Sequence, residues 1–145
     1  MKSIAKYIKE GFFKNLDIDI LENIRRIFDK INNDKYYDYH IALNYNTCQI
    51  IIHNDKQKSN KDDIIISMLD FPKLIDKLSK SVNVKILILD QSTLPEAWYN
   101  MQASKYGPNI IIISFVYENA GDRPGYDYRY SIKYDKVKHT ASEIK

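Results

Sequence analysis

The segment of residues 37–53 constrains the fold of this chain more than any other part of the sequence. Apolar residues occupy every second position on both sides of Asn46 and Thr47, as in two strands joined by a short turn. If these two residues form the turn, Leu43 lies opposite Ile50. This register gathers the apolar side chains on one face, so we predict an antiparallel hairpin with one buried face.

The same register brings polar side chains together on the hairpin. His40 falls opposite His53, and Asp38 falls opposite Asp55, with paired β-carbons about 5 Å apart. Imidazole and carboxylate groups are ligands for zinc, so these four residues form a candidate metal site. The alternative is an ordinary solvent-exposed face, and we expect neither a metal nor a cofactor here.

Helical and apolar patterns define the remaining elements. Asp19 and Glu22 form a capping box ahead of an apolar helical stripe, which predicts a helix that ends near Asn32. Continuous apolar runs predict three buried strands, and helical patterns separate them. The strands are expected at residues 64–69, 84–89 and 109–117, and the helices at residues 70–81 and after Thr93.

This order of elements predicts an α/β fold. We expect a single mixed β-sheet with a β-α-β-α-β centre and antiparallel edge hairpins, flanked by helices, with an α+β arrangement as the alternative. The 145 residues fit one domain. We expect a leader at residues 1–13, the domain at residues 14–137 and a weakly ordered tail at residues 138–145.

Composition narrows the classes of function. Cys48 is the only cysteine and cannot form an internal disulfide, and no signal-peptide segment follows the first two residues, so we expect no secretion. The longest apolar run is too short to span a bilayer. The net charge of +3 is small and spread along the chain, so nucleic-acid binding is not expected.

Three acidic residues follow the predicted buried strands. Asp70, Asp90 and Glu118 would meet at one edge if the strands were parallel, and three carboxylates there could hold Mg²⁺ for phosphoryl transfer or nuclease chemistry. The alternative is that Asp70 caps a helix and the others are ordinary polar strand ends. No glycine-rich phosphate-binding loop accompanies them.

Tyrosines mark the last predicted strand. Tyr126, Tyr128, Tyr130 and Tyr134 alternate with polar residues and share one face. Such a face suits an interface with a partner, or it packs on the domain's own helices. The preceding turn-rich loop contains Arg123, which we predict to be a projecting contact.

The first thirteen residues form a predicted amphipathic helix, with Ile4, Tyr7, Ile8 and Phe12 on one face. The order Met1, Lys2, Ser3, then Tyr7, Ile8 and Glu10, resembles the head-targeting leader of internal proteins of tailed bacteriophages. The resemblance implies cleavage after the tripeptide that ends at Glu10. The alternative is an ordinary N-terminal helix.

Together these observations predict a non-enzymatic, virion-associated protein of a tailed phage. We expect a structural component of the head or neck, or a protein packaged in the head, located in the virion or the host cytoplasm. Its partners would be other phage head or neck proteins or further copies of itself. The alternatives are a small metal-dependent phosphotransferase or nuclease that uses the three carboxylates, and a soluble inhibitor or immunity-type module.

Overall fold

A computed structural model describes residues 18–33, 38–56, 62–90, 97, 101, 105–119 and 128–145. The predicted leader, Arg123 and Tyr126 lie outside these residues, and so do most residues of the helix predicted after Thr93. The helices are α1 (Ile18–Asn32) and α2 (Pro72–Ser79), with a 3₁₀ turn at Met68–Asp70. The strands are β1 (Tyr39–Asn44), β2 (Gln49–Asn54), β3 (Ile64–Ser67), β4 (Ser81–Asp90), β5 (Ile110–Asn119), β6 (Tyr128–Asp135) and β7 (Thr140–Glu143).

The described strands form two antiparallel sheets, so the fold belongs to the α+β class. The orders are β1-β2-β3 and β4-β5-β6-β7. The predicted single mixed sheet with a β-α-β-α-β centre is therefore wrong. β3 and β4, on either side of α2, lie in different sheets, and β4 pairs with β5 in the antiparallel direction. A continuous apolar run indicates burial, but it encodes neither the direction nor the partner of a strand.

The β1–β2 hairpin confirms the predicted register. Leu43 pairs with Ile50 and His40 pairs with His53, and the Asp55 amide donates a 2.8 Å hydrogen bond to the Asp38 carbonyl. The register follows from the alternation, because a shift by one residue would turn the buried isoleucines toward solvent.

Helix α1 also confirms its prediction, and its last residue ties it to the hairpin. The Asn32 side chain accepts a 2.8 Å hydrogen bond from the Ile41 amide and donates a 2.7 Å bond to the Ile41 carbonyl. β1 is an end strand, so these backbone groups point away from β2. The side-chain amide of Asn32 takes the place of a neighbouring strand.

Residues 140–143, which we predicted to lie in a tail, form β7. A turn stabilised by Asp135 connects β6 to β7, because its carboxylate accepts hydrogen bonds from the amides of Val137 and Lys138 at 2.9 and 3.0 Å. The hydrogen bond from the Lys138 amide, followed by that from the Val137 amide, lowers the pKa of Asp135. The polar residues of β7 give little sequence signal for a strand.

One buried cluster joins the two described sheets and helices α1 and α2. Phe28 of α1, Ile52 of β2, Leu74 of α2, Ile86 of β4 and Phe115 of β5 all belong to it. Burial of such side chains is the main favourable term in folding. The cluster fixes the position of one sheet relative to the other.

We expect Asn32→Ala to lower the free energy of unfolding by about 1–3 kcal/mol, because two backbone groups of the buried Ile41 lose their partner. Chemical denaturation measures this change. The matched control is Asn33→Ala at the exposed neighbouring position, expected to stay within about 0.5 kcal/mol. Equal stabilities of the two variants would contradict the edge role of Asn32.

Candidate functional site

The three predicted strand-end carboxylates do not converge. Asp90 ends β4, while Glu118 pairs opposite Asn83 near the start of β4. The seven steps from residue 83 to residue 90 put these ends about 23 Å apart at the usual strand rise. Asp70 is exposed in the 3₁₀ turn that follows β3 of the other sheet. The carboxylates lie far apart because β4 and β5 pair in the antiparallel direction. The Mg²⁺ site that we predicted from a parallel sheet is therefore not formed.

The other two predicted carboxylates, Asp90 and Glu118, each accept a hydrogen bond from a side chain of the protein. Lys136 donates a 3.0 Å hydrogen bond to Asp90 in a half-buried ion pair, and the Asn83 side chain donates a 3.2 Å bond to Glu118. The first contact links the end of β4 to the β6–β7 turn. Contacts of this kind contribute about 0–1 kcal/mol each to stability, and each occupies one of the two carboxylates with a side chain of the protein.

The histidines lie opposite each other and Asp38 lies opposite Asp55, as predicted, but the side chains of His53 and Asp38 contact residues outside this set. The His53 Nδ1 atom lies 2.5 Å from the carboxylate of Asp63, just before β3, and Asp38 pairs with Lys56 at 3.2 Å. No group of three or more histidine, cysteine, aspartate or glutamate side chains positioned to hold a metal ion occurs among the described residues. The arrangement indicates that the His53–Asp63 contact positions the chain that leads into β3.

The tyrosine face of β6 points into the core. Tyr130 and Tyr134 are buried, and Tyr128 stacks on Tyr117 with ring centroids 5.5 Å apart. Burial raises the pKa of Tyr130 to about 12 and raises that of Tyr134. The prediction of one shared face is confirmed for Tyr128, Tyr130 and Tyr134. The described tyrosines of this face contact the chain's own interior, which argues against the interface that we predicted for them.

A polar cleft of about 300 Å³ lies where the ends of the two sheets approach each other. The Asp90–Lys136 ion pair and the Tyr39 side chain line it, together with Tyr134 and His139. The Tyr134 hydroxyl lies 3.2 Å from His139 Nδ1. Burial, with Asp90 and Asp38 adding to it, raises the pKa of Tyr39. Sequence reasoning missed this cleft, because its residues come together only through the pairing of distant strands.

The outer face of β4 carries an exposed apolar row. Leu87 and Leu89 are each 43% exposed, and the exposed Lys85 precedes them on the same face. Their neighbours across the β4–β5 pair are Ser114 and Ile112, which are buried. Contiguous exposed apolar surface is one mark of an interaction site, so we take Leu87 and Leu89 as the candidate contact on β4.

No protein family, curated protein or solved structure matches this chain. Function is therefore argued from the geometry of the described residues. Within the described ranges, no helix is long and apolar enough to cross a membrane.

We expect the Cys48 thiol to be unreactive in the folded protein. The residue is buried, and burial raises the pKa of its thiol to about 11, so the reactive thiolate is about 100-fold scarcer than for a thiol of pKa 9. Iodoacetamide labelling at pH 8 measures this. The control is a Cys48→Ala, Ser142→Cys double variant, whose thiol is exposed on β7. Equal labelling rates in the two folded proteins would contradict the assignment of Cys48 to the core.

Proposed function

We propose that this chain is a non-enzymatic, virion-associated protein of a tailed phage that acts through protein–protein contacts. The exposed apolar row of Leu87 and Leu89 on β4 carries the proposal. A protein that covers this row removes its apolar surface from water. Each Å² of apolar surface removed favours the complex by roughly 25 cal/mol. Lys85 beside the row supplies a charged rim of the kind that surrounds interface cores.

The resemblance of the leader supports the phage assignment. Its pattern, including Tyr7, Ile8 and Glu10, resembles leaders that send proteins into the phage head. The partner of the β4 face is then a protein of the head or neck.

The alternative of a metal-dependent enzyme loses its support from geometry. It needs Asp70, Asp90 and Glu118 at one ion, and a shared ion lies within about 2.5 Å of each ligand oxygen. Asp90 ends β4, whereas Glu118 of β5 lies opposite Asn83, near the start of β4. An immunity-type module would also act through protein–protein contacts, but its partner would be a soluble protein and not the phage particle.

We expect Leu87→Lys to weaken association with purified tailed-phage particles at least tenfold, because a charge replaces an apolar contact in the covered row. Co-sedimentation of the chain with particles purified from the culture that produces it measures the association. Val137→Lys is the matched control, since Val137 is 65% exposed in the β6–β7 turn. Both variants should keep their stability within about 0.5 kcal/mol.

Three results would contradict this proposal. They are failure of the unaltered chain to sediment with particles, unchanged sedimentation of Leu87→Lys, and an equal loss in Val137→Lys. Association with a soluble host protein that Leu87→Lys abolishes would favour the immunity-type module instead.

Deletion of residues 1–13 tests the leader separately. If the leader serves targeting, the truncated chain keeps its melting temperature and is missing from the particles. If Ile4, Ile8 and Phe12 fill core pockets, the deletion removes on the order of 5 kcal/mol and the truncated chain melts or precipitates. A well-folded truncated chain that still enters particles would contradict the leader role.

A further inference from the structure

A groove separates the edges of the two sheets. β3 ends the three-stranded sheet and β7 ends the four-stranded sheet. The groove between them has a volume of about 630 Å³. Ile65 and Ser67 line it from β3, and Ala141 lines it from β7, while the buried Tyr134 lines it from β6.

The backbone of β3 directs hydrogen-bonding groups into this groove. The Met68 amide donates a 2.9 Å bond to the Cys48 carbonyl, so the even-numbered residues of β3 pair with β2. The backbone groups of Ile65 and Ser67 therefore point away from β2. The Ile65 amide bonds the Tyr134 hydroxyl, which leaves the Ile65 carbonyl and the Ser67 amide directed into the groove.

β7 presents its backbone in the same way. The Ile144 amide donates a 2.9 Å bond to the Ser131 carbonyl, so the even-numbered residues of β7 pair with β6. The backbone groups of Ala141 and Glu143 point away from β6. No strand among the described residues pairs with β7 on this side or with β3 on its own outer side.

The side chains of the groove combine apolar surface with negative charge. Ile65 is exposed on β3, and Phe71 lines the groove beside the exposed Asp70. Asp63 already contacts His53. Asp70 has no ion pair with any residue that the structure describes, so a basic side chain would complement it.

We propose that the groove between β3 and β7 accepts an extended, lysine- or arginine-containing segment of a partner protein, which adds as a strand to the sheet edges. The Ile65 carbonyl, the Ser67 amide and the backbone of Ala141 bond the segment, while Asp70 pairs with its basic residue. Main-chain bonds of this kind supply affinity, and side-chain contacts supply specificity. β4 lies at the opposite end of the four-stranded sheet, so this groove and the β4 face can fail separately.

Proline substitution tests the backbone contacts. Ser67 has φ −75° and ψ 114°, within the range that proline adopts, and its amide is not used by β2. Ser67→Pro therefore removes the outward amide with little strain. Ala141→Pro removes the corresponding amide on β7.

The probe is a fluorescein-labelled hexapeptide of alternating lysine and valine. The control peptide has glutamate in place of lysine. Fluorescence anisotropy with the full chain should show at least tenfold tighter binding of the lysine peptide. Ser67→Pro and Ala141→Pro should each weaken its binding at least tenfold. Asp70→Asn should reduce the preference for lysine over glutamate. Asp29→Asn, at an exposed carboxylate on α1, is the control that should change nothing.

Amide hydrogen exchange on the unaltered chain covers the case in which a proline variant does not fold. The lysine peptide should slow exchange of the Ser67 and Ala141 amides at least tenfold. Unchanged exchange, absence of binding, or equal binding by folded proline variants would overturn the proposal. Self-association of the chain that Ser67→Pro abolishes would also overturn it, because the groove would then accept a second copy.

Discussion

Each end strand of an open β-sheet leaves a row of backbone N–H and C=O groups without a strand partner, and two sheets leave four such rows. On β1, the Asn32 side chain bonds both backbone groups of Ile41, which joins α1 to the hairpin. On β3, the Tyr134 hydroxyl bonds the Ile65 amide, which joins the two sheets. These side chains come from the same elements whose apolar faces form the core. The satisfaction of edge groups and the packing of the core therefore depend on one another.

The elements that could be predicted from sequence are those whose signal is local. The period of two around Asn46 and Thr47 specifies both the strands and their register, and the apolar stripe of α1 specifies its buried face. The pairing of β4 with β5 depends on long-range contacts, and the run at residues 110–117 is equally compatible with either strand direction. Strand β7 was not predicted, because Thr140, Ala141 and Ser142 show no alternation of apolar and polar residues.

The candidate sites show the same difference between local sequence signals and long-range contacts. The shared face of Tyr128, Tyr130 and Tyr134 could be predicted from spacing, but its inward direction could not, because tyrosine suits both a core and an interface. The carboxylate site failed together with the parallel sheet on which it was based. The β3–β7 groove has no sequence signature, since its walls are brought together only by the packing of the two sheets. Local pattern thus predicts which residues share a face, and tertiary packing decides what that face contacts.

The central claim is that the described strands form two sheets, and that no other described strand pairs with the facing edges of β3 and β7. Native-state amide hydrogen exchange of the free protein tests it most directly. The account predicts slow exchange for Ile64, Ile66 and Ser142, whose amides bond neighbouring strands, and fast exchange for Ser67 and Ala141. Slow exchange of Ser67 and Ala141, comparable to that of their neighbours, would contradict it, because these two amides would then have partners that the open edges do not provide.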